Sequence, residues 1–296
     1  MANHPKYHST QNILILLSYT AAIVAVSTLS LPLLASSQTL YFPGLCVGLK
    51  NTLELCAGAK PKRGNSVSLV ATVGATNARA LIHNSEDISG PLPQDFGFSN
   101  LSYLGLANNN LSGPIPASVR HLHGSLLEIV LLNNQLSGCL PHELGMLNKA
   151  AVIDAGKNQL TGPIPTSFSC LTRVEQLNLA GNRLYGHVPE ALCKLAGPAG
   201  RLGNLTLRGN YFTSVGRACT ALIKGGVLDV KNNCIPGFAN QKRPAECLAF
   251  QSQPKTCPEA FTQVSCPAAA TTNAAVTGES KARDYYSYLT YASLRE

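Results

Sequence analysis

Asparagine returns on a near-fixed beat through the middle of this 296-residue chain, each time inside the same apolar frame. The frame reads YLGLANNNLSGPIP, EIVLLNNQLSGCLP, VIDAGKNQLTGPIP and EQLNLAGNRLYGHVP. Its asparagines, Asn109, Asn134, Asn158 and Asn182, stand 25, 24 and 24 residues apart. A unit of that length cannot bury its apolar side chains alone. It buries them by stacking on its neighbours, so the pattern demands a solenoid. Apolar pairs two residues apart (Leu104 and Leu106, Ile129 and Leu131, Leu177 and Leu179) assign one short strand to each unit, with the pair pointing inward. The asparagine follows the strand, where the bend leaves backbone groups unpaired. Its amide offers both donor and acceptor, and losing one such buried partner costs about 1–3 kcal/mol.

The L-x-L-x-x-N core is that of a leucine-rich repeat, and the tail L-S/T-G-x-I/L/V-P is its plant-type form. The fold class expected is therefore an α/β solenoid with about six strands in one parallel concave sheet and disulfide-stapled caps. Glycines (Gly113, Gly138, Gly162) sit at the turn in each tail. Prolines (Pro116, Pro141, Pro165, Pro189) stand where the chain leaves for the convex side. Two weaker units flank these four. ALIHNSEDISGPLP carries Glu86 where asparagine belongs, and LGNLTLRGNYF keeps Asn210 but loses the tail, after an insertion near residues 197–200. Degenerate outer units mark the ends of an array.

The chain divides into a leader at 1–37, an N-terminal cap at 38–77, repeats at 78–232, a cysteine-containing C-terminal cap at 233–266 and a tail at 267–296. Residues 13–34 are mostly apolar and precede Ala35, Ser36 and Ser37, as in a secretory signal peptide; an uncleaved anchor is the alternative. Ten cysteines behind such a leader argue for disulfides rather than metal ligands. Cys46 and Cys56 are placed to clasp the exposed N-terminal edge. Three sequons, at Asn100, Asn110 and Asn204, are glycosylation candidates in that compartment. The tail is poor in core-forming residues at its start and reads as disordered.

The formal charge of +8 lies mostly in 38–77 and 78–266, with one local cluster, Lys60, Lys62 and Arg63. Such an excess suits acidic wall polysaccharide or plain solubility. No basic stripe interleaves with aromatics, so nucleic acid is not an expected partner. The seven histidines are scattered, and neither G-x-S-x-G nor H-E-x-x-H occurs. The chain is read as no enzyme, with no cofactor and no metal.

Residues flanking each inward pair face the concave side. The rows are Tyr103, Gly105 and Ala107; Glu128, Val130 and Leu132; Val152, Asp154 and Gly156; Gln176, Asn178 and Ala180; Asn204, Thr206 and Arg208. The candidate ligand-binding residues are Tyr103, Glu128, Val130, Leu132, Asp154, Gln176, Asn178, Thr206 and Arg208. Exposed Val130 and Leu132 beside the acids Glu128 and Asp154 suit a peptide with apolar and basic side chains. The alternative is a plain solvated sheet.

Residues 233–257, NCIPGFANQKRPAECLAFQSQPKTC, closely resemble the C-terminal cap of plant leucine-rich repeat extensins, whose signature is N-C-x-P-G…P-x-x-C-x-A-F…R/Q-P-x-x-C. Upstream phrases such as EIVLLNNQLSGCLPHELG and VEQLNLAGNRLYGHVPEALCKL are similar to that family's last repeats. The resemblance covers about residues 78–266, without the family's Ser-Pro-rich tail. The tyrosines Tyr285, Tyr286, Tyr288 and Tyr291 are similar to cross-linking sites of extensins, against an unstructured end. The resemblance implies that Cys193 pairs with Cys219. Cys234, Cys247, Cys257 and Cys266 are expected to pair among themselves, and the state of Cys139 and Cys170 stays open.

Three functions compete. The resemblance implies binding of a secreted, basic, cysteine-rich peptide of the rapid alkalinization factor type at the cell wall, with Glu128 and Asp154 as its acidic complement. The second is a structural wall glycoprotein holding pectin through Lys60, Lys62 and Arg63. The third is an inhibitor of a wall-degrading polygalacturonase. A homo-oligomer is left open.

Overall fold

The computed structural model describes residues 79–197, 200–254, 256–258, 265–267, 288–292 and 294, together with the backbone of four short strands between 41 and 68. The leader, Cys56 and the Lys60, Lys62, Arg63 cluster lie outside the described residues. Among the described residues no helix is long and apolar enough to cross a membrane.

Seven strands form one parallel sheet: β1 Ala80–Ile82, β2 Tyr103–Gly105, β3 Glu128–Val130, β4 Val152–Asp154, β5 Gln176–Asn178, β6 Asn204–Thr206 and β7 Leu228–Asp229. Neighbours in sequence are neighbours in the sheet. The register keeps inward residues in a column, with Leu81 opposite Leu104, Leu104 opposite Ile129, Ile129 opposite Ile153, Ile153 opposite Leu177 and Leu177 opposite Leu205. A second column, Leu111, Leu136, Leu160, Leu184 and Phe212, is likewise buried. One repeat is thus too thin to have a core, and the stack supplies it.

The sequence reading gives about six concave strands; among the described residues the sheet has seven. The extra one lies in VLDVKNN, next to the cap signature, and brings a sixth asparagine into line. Asn158 shows the repeated pattern. Its Nδ2 donates to the carbonyls of Ala155 at 3.2 Å, Gly156 at 3.0 Å and Leu131 of the preceding unit at 3.0 Å. Its Oδ1 accepts the Leu136 N–H at 3.0 Å. Asn233 repeats this with Val230 and Leu207, each at 3.0 Å, and with the Phe212 N–H at 3.1 Å. In the first unit Glu86 does not join the ladder. Its own N–H donates to Asn109 Oδ1 at 3.1 Å, while its carboxylate meets His83 Nδ1 at 2.7 Å.

Each repeat tail turns through a glycine into a short helical segment. Pro116, Pro141 and Pro165 immediately precede the 3₁₀ helices Ala117–Gly124, His142–Met146 and Thr166–Cys170, and Pro189 precedes the α-helix Glu190–Cys193. At each of these sites the proline supplies an extended residue with no N–H to satisfy. The C-terminal cap adds the helix Pro244–Gln251.

Among the described residues four disulfides form: Cys139 with Cys257, Cys170 with Cys266, Cys193 with Cys219, and Cys234 with Cys247. The expectation that the last four cysteines pair among themselves is corrected. Only Cys234 and Cys247 do so; Cys257 and Cys266 reach back 118 and 96 residues into the array. The reason is geometric. After the cap helix the chain doubles back along the repeats instead of ending beside the last one, so its cysteines meet Cys139 and Cys170 within bonding distance. The same run carries the Pro267 carbonyl to Asn148 Nδ2 at 3.4 Å.

The disordered reading of the tail is corrected for its end. Leu289–Ala292 is a helical turn, and Tyr288, Thr290 and Tyr291 are fully buried.

Candidate functional site

The tail segment is seated on the acidic and apolar centre of the concave sheet. Its two tyrosine rings meet edge to face, with centroids 6.3 Å apart, and pack on Ala107, Val130 and Val152. Leu132 and Leu294 border the cluster. This cluster is separate from the main repeat core, because its strand residues point away from that core.

Hydrogen bonds fix the segment to three carboxylates drawn from successive units. Tyr291 Oη donates to Asp154 Oδ2 at 2.6 Å, and Tyr288 Oη donates to Glu175 Oε2 at 2.8 Å. Glu128 accepts three donors: the Leu289 N–H at 3.3 Å on Oε1, and the Thr290 N–H and hydroxyl at 2.9 and 2.7 Å on Oε2. From the first unit Asn84 Nδ2 donates to the Thr290 carbonyl at 3.1 Å. Charge-assisted bonds of this kind are about twice as strong as neutral ones. They let the acids be covered without leaving a bare buried charge.

The local fold explains why these acids are available. Glu128 opens β3 and Asp154 ends β4, so both alternate with inward residues and stand on the concave side. Asp154 is held by the Gly156 N–H at 2.9 Å and Asn178 Nδ2 at 3.1 Å. Glu175 precedes β5, and Arg201 Nη1 lies 4.0 Å from its Oε1.

The residues predicted from sequence fall into two groups. Glu128, Val130 and Asp154 lie under the tail, with Leu132 at its edge. Val130 is 0% exposed and Glu128 only 7%, which corrects the expectation of an open patch: the tail covers it. Gln176 is buried, and Tyr103 and Asn178 are half-buried. Thr206 and Arg208 lie farther along the stack. The Thr206 hydroxyl donates to Asn204 Oδ1 at 3.0 Å, and Arg208 Nε stands 3.9 Å from Asp229 Oδ2. The sequon asparagines Asn100, Asn110 and Asn204 are exposed.

Sequence reasoning missed Glu175, Asn84 and the three tail residues. Glu175 occupies the position just before the strand, which holds Ser102, Leu127 and Ala151 in the preceding units. A lone acid in that column was the available signal. For the tail there was only its tyrosine content.

The Leucine Rich Repeat family model matches residues 100–122 and 173–195. Leucine-rich repeat extensin-like protein 6 of Arabidopsis thaliana is 42% identical over 79 residues, which is 26% of this chain and 17% of that protein. The LRR receptor-like serine/threonine-protein kinase GSO2 of the same plant is 39% identical over 61 residues, 20% of this chain and 5% of its own. Two solved structures share the fold. The plant peptide hormone receptor RGFR1 in complex with RGF2 aligns with a TM-score of 0.51 at 25% identity, over 58% of this chain and 27% of that one. The Arabidopsis receptor kinase HAESA, in complex with the peptide hormone IDA and the co-receptor SERK1, aligns with a TM-score of 0.50 at 30% identity, over 54% and 26%. The matches span under a third of the length of each of these relatives. The repeats, the asparagine ladder and these likenesses together give the chain a plant-type leucine-rich repeat fold, with partial sequence similarity to leucine-rich repeat extensin-like protein 6.

Proposed function

We propose that this protein is a non-enzymatic, extracellular module of the plant cell wall that binds a secreted peptide on its concave face. The observation that carries this reading is the occupied centre of that face: Glu128, Asp154 and Glu175, beside Ala107, Val130 and Val152, hold a peptide segment by side-chain and backbone donors. A surface built this way offers apolar floor and negative charge together, which suits a basic peptide with apolar side chains. Two fold relatives are solved in complex with peptide hormones. Four disulfides suit an oxidising, extracellular compartment.

The ligand class proposed is a basic, cysteine-rich peptide of the rapid alkalinization factor type. The test is calorimetric titration with such a folded peptide of the full chain carrying Tyr288→Ala, Thr290→Ala and Tyr291→Ala, which frees the face of the seated tail, and of the same chain with Glu128→Lys and Asp154→Lys added. Binding by the former and a loss of tenfold or more in the latter, with slower association, is the expected result. Equal affinity in a folded variant removes the concave site. Pectin co-sedimentation in parallel reads the structural alternative, whose Lys60, Lys62 and Arg63 lie outside the described residues.

A further inference from the structure

We infer that the C-terminal segment around Tyr288, Thr290 and Tyr291 is a tethered ligand of the concave site, so that the chain carries its own competitor for any incoming peptide. The inference rests on the peptide-binding reading above and names the partner chemistry the surface selects: two phenols spaced by one helical turn, flanking a hydroxyl residue.

The contacts are those of recognition rather than of core filling. Three hydroxyls and two backbone N–H groups of the tail are bonded to Glu128, Asp154 and Glu175, at 2.6 to 3.3 Å. The rings rest on a floor separate from the main core, so the repeats do not need the tail to close their interior. The three acids belong to three successive units, and the segment therefore reads the spacing of the stack as well as its charge. Without the tail, the floor of Ala107, Val130 and Val152 is an apolar strip edged by acids.

The tether is short. Cys266 is bonded to Cys170, and Pro267 is held by Asn148. The 20 residues between Pro267 and Tyr288 can span at most about 70 Å when extended. A tether of this length gives the segment an effective concentration on the order of millimolar at the site. An intrinsic affinity in the ten-micromolar range then leaves the site closed for most of the time, and a competing peptide binds roughly 100-fold more weakly.

The probe is a labelled synthetic peptide with the sequence of residues 285–296, YYSYLTYASLRE. The receiving protein is the full chain carrying Tyr288→Ala, Thr290→Ala and Tyr291→Ala, which removes the two rings and all three hydroxyl bonds of the resident segment and leaves the face unchanged. The variant is expected to bind the peptide, the unmodified chain to bind it at least tenfold more weakly, and addition of Glu128→Ala to the variant to abolish binding. A folded variant that binds no peptide, or equal binding by both proteins, overturns the inference. If the triple variant does not fold, Tyr291→Phe serves instead, keeping the ring and losing the Asp154 bond; its peptide affinity should lie above that of the unmodified chain. A dimer that dissociates on tyrosine replacement would assign the seated tail to a second copy and overturn the intramolecular form. Titration of a basic cysteine-rich peptide into the same samples separates the two readings. Tail-peptide binding alone upholds the tethered ligand and rejects the external one. Basic-peptide binding of equal strength in both proteins, with no tail-peptide binding, does the reverse.

Discussion

Tyr291 donates its phenolic hydrogen to Asp154 across 2.6 Å, closing a gap of 137 residues in sequence. Both side chains are almost wholly buried, at 0% and 1% exposure. A hydrogen bond to a charged group contributes about 1.5–3 kcal/mol, so this pair is a main hold on the seated tail. Replacing Asp154 by alanine should loosen the tail without unfolding the repeats. Chymotryptic cleavage after Tyr288 and Tyr291, followed by mass spectrometry, should accelerate about tenfold or more. An unchanged cleavage rate would show that the bond does not hold the segment.

The asparagine ladder makes a second prediction. Asn158→Ala takes the acceptor from the buried Leu136 N–H and one donor each from the carbonyls of Leu131, Ala155 and Gly156, which keep Asn134 Nδ2, Asn182 Nδ2 and the Asn133 N–H. Asn233→Ala does the equivalent beside the C-terminal cap. Each should lower stability by about 1–3 kcal/mol in denaturant unfolding. A loss at Asn158 with none at Asn233 would mean that the ladder ends before the cap.

Unreduced peptide mapping should recover Cys139 with Cys257 and Cys170 with Cys266. Cys257→Ser should leave Cys139 open to a thiol reagent and cost about 2–4 kcal/mol, since the bridge closes a loop of 118 residues. Recovery of a Cys257–Cys266 peptide would contradict this connectivity.

Gly162 stands at φ +97°, and a Cβ there would lie 2.9 Å from Cys257 Sγ. Gly162→Ala combines a strained backbone with a clash against the long-range bridge. It should destabilise the fold by more than 1 kcal/mol and lower the yield of the Cys139–Cys257 peptide. Gly90→Ala shares the positive φ but has nothing within 4 Å of the new Cβ, so it should lower stability and leave the bridge intact.

The repeat beat carries most of the fold, because a solenoid is local: each strand pairs with the next, and alternation alone assigns Leu104 and Leu106 inward and Glu128 and Val130 outward. The strand at Leu228 was hidden because its asparagine, Asn233, also opens the cap signature. The long disulfides were hidden because spacing does not encode which cysteine a returning chain will meet. Glu128 and Asp154 were legible from the strand period; Glu175, which stands just before its strand, was not. Nor was the cover of these acids. Tyr288 and Tyr291 lie in a tail whose composition forms no core of its own, and they are ordered by a floor built from residues far earlier in the chain.

The most direct measurement is amide hydrogen exchange at Leu289 and Thr290 in the full chain. Both N–H groups donate to Glu128, so both should be protected, and Glu128→Ala should return them to the rate of an unstructured peptide while the strand amides of the repeats stay protected. Exchange of Leu289 and Thr290 at the free-peptide rate in the unmodified chain would contradict a concave face occupied by its own tail.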